Sequence, residues 1–298
     1  MPLRQSISSI LPRKNNSWEG RTLTKFIEVL KKVPLLTAFI GFLFAVGGIK
    51  LLHTDGNFAM GVHRYLLALA MCVFLILISG EKTFKKCEKT TAYVLKMSIG
   101  VFIFAGLLCG LGVLSNISAE LPIAKDWPLQ TLLLLFAIMG VGMFEEIAFR
   151  AVISDAIIYQ FRNKKWVFAV SAIVGSLLFG YVHVMSDDAS TPLALAQVIM
   201  KTVSTGLWGM SLLFLYWKTR NIFACGIAHG IYDFILMVKD VPFVTEKDNS
   251  HSYVHEGFLG GVSVGIYVFE SIVMIVILLI FWKKVVKTID FEDMRKNW

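Results

Sequence analysis

"LLLLFAIMGVGMFEEIAFRAVI", residues 132–153, is an apolar run that holds Glu145, Glu146 and Arg150 near its middle. Each charge at bilayer depth costs ~2.5–3.5 kcal/mol on insertion scales, so a chain that keeps three together has a reason for them. Composition says that the run faces lipid. Of 298 residues, 56% are hydrophobic and 17% charged, and the mean hydropathy is +0.68; soluble domains average about 25% charged residues. Apolar runs follow one another from Val33 to Trp282 with short gaps, which leaves no room for a large soluble domain. The net charge of +8 reports membrane topology before it reports partners. Nucleic acid is not implied.

A span needs about 20 apolar residues. Eight segments qualify, at about 33–52, 62–79, 92–114, 128–150, 166–184, 193–217, 221–238 and 262–282. The loops support the count, because cytoplasmic segments collect Lys and Arg. The N-terminal segment carries Arg4, Arg13, Lys14, Arg21, Lys25, Lys31 and Lys32; the second loop carries Lys82, Lys85, Lys86 and Lys89. Arg162, Lys164 and Lys165 lie in the fourth loop and Lys218 and Arg220 in the sixth, and the tail holds Lys283, Lys284, Lys287, Arg295 and Lys296. The odd-numbered loops and their edges hold only Lys50, Arg64, Lys125, Lys239 and Lys247. The fold class is therefore all-α: a polytopic membrane helix bundle of about eight transmembrane helices with both termini cytoplasmic.

The chain divides into a cytoplasmic lead-in (1–32), one transmembrane domain (33–282) and a basic cytoplasmic tail (283–298). In the lead-in, Leu23, Phe26, Ile27 and Leu30 share a helical face with the basic residues mostly off it, the pattern of an interfacial helix on an anionic leaflet. It does not read as a signal peptide, since the run that follows is long enough to span. Cys72, Cys87, Cys109 and Cys225 are scattered with no zinc-type spacing and read as small hydrophobes. His251 and His255 are four apart in a long polar loop and read as solvated.

Helical spacing sorts the charged residues. Glu146 and Arg150 are four apart, about 40° round the axis, with the acid N-terminal to the base; Glu145 is about 140° from Arg150. One carboxylate can neutralise the guanidinium while the other points elsewhere. His183 follows Phe179 by four residues, and His229 precedes Asp233 by four, so each pair shares a face. Lys201 and Glu270 are further charges inside spans: Lys201 can snorkel outward or pair with Glu270. Glu145 lies 17 residues before Arg162 and His183 lies 17 after Trp166, about 25 Å along each helix from one loop. That places both at one height and the site in the cytoplasmic half of the bilayer.

These residues form a pattern. "EEIAFR" (145–150) fits EExxxR, "FGYVH" (179–183) fits FxxxH, and "HGIYD" (229–233) nearly fits HxxxN. In order and spacing they resemble the CPBP family, the CAAX proteases and bacteriocin-processing enzymes also called Abi proteins. The resemblance covers about residues 127–240. It implies an intramembrane endopeptidase whose substrate is a membrane-associated peptide or protein, prenylated or carrying a leader. By the same resemblance Glu145 is the general base on water, and His183 holds and activates that water. His229, with the residue four on, stabilises the oxyanion, and Glu146, Arg150 and Phe179 support. Two positions depart from the pattern: Asp233 stands where Asn is usual, and Ala151 where Gly is common. An acid at 233 would either carry a proton and donate a hydrogen bond or orient His229.

No cofactor is required by this scheme, although Glu145, His183, His229 and Asp233 are ligand types that zinc accepts. Two other functions compete with hydrolysis. One is a non-enzymatic membrane scaffold, bacteriocin-immunity or regulatory protein of the same family, with the polar cluster as a packing network. The other is a proton-coupled transporter, which the absence of duplicated halves disfavours. The expected location is a bacterial plasma membrane.

Overall fold

The computed structural model describes residues 18–51, 55–78, 82–85, 89–244, 252–292 and 294. Arg4, Arg13, Lys14, Lys86, Cys87, Lys247, His251, Arg295 and Lys296, which entered the sequence reading, lie outside the described residues. The elements are α1 (Trp18–Lys32), α2 (Pro34–Leu51), α3 (Gly56–Leu77), the short α4 (Lys82–Lys85), α5 (Thr91–Ser118) and α6 (Trp127–Glu146). A π-helical stretch, Ile147–Ser154, joins α6 to α7 (Asp155–Gln160) in one rod; α8 (Val167–Val184), α9 (Pro192–Thr219), α10 (Ile222–Met237) and α11 (Gly257–Lys284) follow. Among the described residues there is no strand, only one isolated bridge between Ile123 and Phe243.

Each apolar segment read from the sequence is helical over its described residues, and length separates them. Among the described residues, six helices or rods are long and apolar enough to cross a bilayer: Gly56–Leu77, Thr91–Ser118, Trp127–Gln160, Val167–Val184, Pro192–Thr219 and Gly257–Thr288. A seventh counts if α1 and α2, bent by 110° at Val33, make one span. The 16 residues of α10 reach only about 24 Å, short of the ~30 Å hydrocarbon core. The fourth span does not end at Arg150, as the sequence reading had it, but runs on to Gln160. The bend ahead of α2 comes where Pro34 starts a new helix; Leu23 and Phe26 on α1 are exposed and Leu30 is buried against the bundle.

The rod α6–α7 is the hub. It packs against α2, α3, α8 and α10, while α9 packs on α8 and α11. Burial follows from this arrangement: the most apolar windows of the rod and of α9 are each 56% buried, against 22% for α5 and α11, which face outward. Glycines set the closest approaches. A Cβ on Gly142 would stand 2.5 Å from the Gly226 carbonyl oxygen and 2.7 Å from the Gly230 nitrogen, so α6 and α10 touch backbone to backbone across Gly226 and Gly230, a small-xxx-small pair. A Cβ on Gly180 would collide with the Thr202 carbonyl, which brings α8 against α9 in the same way.

The turn between α9 and α10 is built locally. Arg220 has φ +50°, left-handed and uncommon for a residue other than glycine. Its guanidinium donates to Asp155 Oδ2 at 3.2 Å and covers the Tyr216 ring at 4.5 Å; Tyr216 donates to the same oxygen at 2.7 Å. Asn221 Oδ1 then caps α10 by accepting from Ala224 N at 3.1 Å. The tight reversal delivers α10, and with it His229, back into the bundle.

Candidate active site

Glu145 and Glu146 are the last residues of α6, where the α-helix passes into its π-helical stretch; such stretches recur at functional sites. Glu146 and Arg150 are 0% and 3% exposed, and Glu146 Oε2 lies 3.1 Å from Arg150 Nε. Arg150 Nη2 also donates to the Gly209 carbonyl at 3.0 Å, and its guanidinium covers the Phe179 ring at 4.4 Å. The pairing on one face holds as the spacing predicts.

Glu146 does more than neutralise Arg150. Its second oxygen, Oε1, accepts from His229 Nδ1 at 3.0 Å, so one buried carboxylate bridges a guanidinium and an imidazole on two helices. The other ring nitrogen of His229, Nε2, faces Asp233 Oδ2 at 3.2 Å. With carboxylate oxygens at both nitrogens, the ring is fixed. Phe179 and Trp208 meet it edge to face, with centroids at 5.8 and 6.3 Å.

Glu145 points away from this pair, toward both histidines. Its Oε2 is 3.9 Å from His183 Nε2 and 3.8 Å from His229 Nε2. That oxygen is buried and accepts no hydrogen bond among the described residues. The gap to each imidazole is too long for a direct hydrogen bond and short enough for one water to bridge. His183 Nδ1 lies 2.9 Å from the Phe179 carbonyl, which can only accept, so Nδ1 carries a hydrogen and Nε2 is the nitrogen turned toward Glu145. Phe179 thus holds His183 by its backbone and by an edge-to-face ring contact at 4.9 Å.

The cluster is open on one side. The side chains of His183 and Asp233 are 24% and 25% exposed, Glu145 12%, His229 2%. The open side lies where α8 stops, one residue after His183. The segment 252–256 is fastened to α9 beside it: Gln197 donates to the His255 carbonyl and accepts from His255 N, both at 2.9 Å, and Tyr253 N donates to Asp187. Burial among carboxylates pushes the Tyr253 hydroxyl up to about 12. Lys201 does not snorkel outward. Its ammonium lies over the Tyr253 and Tyr267 rings at 4.6 and 5.2 Å, within the fields of Glu270 and Asp233. His255 is exposed in this segment.

Among the described residues, no group of three or more His, Cys, Asp or Glu side chains is arranged to hold a metal ion.

Residues missed from sequence are Arg64, Trp208 and the second role of Glu146. The charge alternation treats Arg64 as a loop-edge residue, yet α3 sets it beside Phe144 and within the field of Glu145. An arginine inside an apolar run was the available signal.

Residues 127–235, the stretch that holds all three motifs, match the family model of Rce1-like type II CAAX prenyl endopeptidases. No curated protein and no solved structure matches the chain.

Proposed function

We propose that the chain is an intramembrane endopeptidase that hydrolyses a peptide bond of a membrane-associated or lipidated substrate. The observation that carries this reading is Glu145 Oε2, buried without a hydrogen-bond donor and 3.8–3.9 Å from two imidazole nitrogens. The family match over residues 127–235 supports it. A water held between Glu145 Oε2 and His183 Nε2 would give its proton to the carboxylate and attack the scissile carbonyl. His229, fixed by Glu146 and Asp233, would set the charge beside the developing intermediate, and Glu146, Arg150 and Phe179 would hold the imidazoles in place. The orientation of His229 by Asp233 is the use of an acid at 233 that fits the 3.2 Å contact.

The reaction as proposed is metal-free, with a prenylated or leader-bearing peptide as substrate, in an eight-pass protein of the bacterial plasma membrane with both termini cytoplasmic. Purified chain in proteoliposomes should cleave candidate peptides in the presence of EDTA and 1,10-phenanthroline. Glu145→Ala or His183→Ala should abolish cleavage with the protein level unchanged. Loss with chelator that zinc restores would assign Glu145, His183, His229 and Asp233 to a metal instead. Normal processing by Glu145→Ala would refute the mechanism. Mutants whose protein level falls together with the phenotype would favour the scaffold or immunity reading.

A further inference from the structure

Arg64 has no part in the chemistry above. A Cβ on Gly140 would stand 3.2 Å from Arg64 Cβ, so the Arg64 backbone meets α6 five residues, or about 7.5 Å, before Glu145. An arginine side chain covers that distance, and the guanidinium carbon lies 6.0 Å from the Phe144 ring centroid, next to Glu145 in sequence. Arg64 Nη1 is buried and donates to nothing among the described residues. Glu145 is the carboxylate whose field it feels. A buried cationic N–H without an acceptor is costly and rare, and calls for an explanation.

The proposed reaction lacks a donor of this kind. His183 donates its Nδ1–H to the Phe179 carbonyl, and its Nε2 faces Glu145 across the place assigned to the attacking water. His229 has a carboxylate at each nitrogen. Glu145 and Asp233 are acids, so no group assigned so far offers a free N–H to a carbonyl oxygen that is gaining charge. Where Asn is usual, this chain has an acid that occupies His229 Nε2, and the donor has to come from another helix.

We propose that Arg64 is the oxyanion donor of this site: its Nη1–H binds the carbonyl oxygen of the scissile bond and holds it as the tetrahedral intermediate forms. The inference rests on the hydrolytic reading. Water loses a proton to Glu145 as its oxygen bonds to the carbonyl carbon, and the C=O π pair moves onto the oxygen facing Arg64. When that pair returns, the C–N bond breaks and the amine takes the proton from Glu145. Arg64 donates hydrogen bonds throughout and transfers no proton. A guanidinium suits this place, since charge-assisted hydrogen bonds are about twice as strong as neutral ones.

The test uses full-length chain in proteoliposomes and a proteome-derived pool of peptides, farnesylated and unmodified, with cleavage scored by mass spectrometry. The best-cleaved sequence then becomes a fluorogenic probe for kcat and KM. Arg64→Met should lower kcat by about 100- to 1000-fold, the loss seen when an oxyanion donor is removed, with KM nearly unchanged because the contact forms in the transition state. Arg64→Lys should keep an intermediate rate. Guanidinium chloride at millimolar concentration should restore cleavage by Arg64→Ala and do nothing for Glu145→Ala, which separates a lost donor from a misfolded chain. Wild-type kcat in Arg64→Met, with Glu145→Ala inactive, overturns the assignment and leaves the protease reading standing. Trp208 Nε1 is another buried N–H without an acceptor, beside His229. If Trp208→Phe causes the loss and Arg64→Met does not, the donor is Trp208 and the assignment to Arg64 is overturned. A wild-type chain that cleaves no peptide in the pool overturns the protease reading and this inference with it.

Discussion

Two adjacent glutamates lead different lives. Glu146 is fully buried and divides its oxygens between Arg150 and His229, while Glu145 keeps a buried oxygen free of hydrogen bonds. Removing one partner of a buried ion pair leaves the other uncompensated, at about 3–5 kcal/mol. Glu146→Gln should therefore lower stability by about that amount, read as a clear fall in thermal midpoint in detergent. Glu145→Gln, which leaves the Glu146 contacts with Arg150 and His229 intact, should lower the midpoint less. Equal melting of the two variants would mean that Glu146 bears no structural load. The sequence already separated these residues by angle, because a helix converts spacing into direction. It could not show the bond from Glu146 to His229, since that pair is 83 residues apart and local periodicity carries no register between distant helices. Arg64 escaped for the same reason: its neighbour Phe144 lies on another helix.

At the scale of elements, the helices were legible because each is an apolar run broken by polar or proline-containing turns. Their true lengths were not. Arg150 ends the apolar window on a hydropathy argument, yet the helix passes through a π-helical stretch to Gln160, with Ser154 and Asp155 buried against α8 and α9 partners rather than exposed. Nor does an isolated segment reveal which glycines are contact points. Gly142 is one, set against the backbone of Gly226 and Gly230, whereas Gly100 on α5 has open space where a Cβ would go. Gly142→Ala should push α10 off α6, lengthen the Glu146–His229 bond and cost about 1–3 kcal/mol through overpacking. Gly100→Ala should be neutral or stabilise by up to about 1 kcal/mol through helix propensity. Thermal unfolding of the two variants beside wild type decides, and the reverse order would mean that α6 and α10 are not in backbone contact.

At the scale of the whole molecule, the loops sort into two ends. Lys218 Nζ donates to the Thr288 carbonyl, Asn221 to the Lys89 carbonyl, and Phe291 packs on Phe168 and Trp217. The second and sixth loops, the start of α8 and the C-terminal segment, the basic parts of the chain, therefore share one end. At the other end Tyr253 meets Asp187, Gln197 meets His255, and Asn116 donates to the Lys239 carbonyl. His183 belongs to that second end, since α8 stops one residue beyond it. Residue counts from the 162–166 loop give a distance along each helix and not where the neighbouring walls stop, so the charge alternation does not by itself tell to which side the site opens. If basic loops are cytoplasmic, the open side of the site faces the exterior, and a substrate reaches Glu145 from the outer half of the bilayer. Single-cysteine chains lacking the native cysteines test this. Ala189→Cys, exposed beside the mouth, should react with an impermeant maleimide in intact cells; Asn163→Cys, exposed in the basic loop, should react only after permeabilisation. The opposite pattern would turn the molecule over and open the same cluster to the cytoplasm, where a prenylated protein made in that compartment would meet it directly.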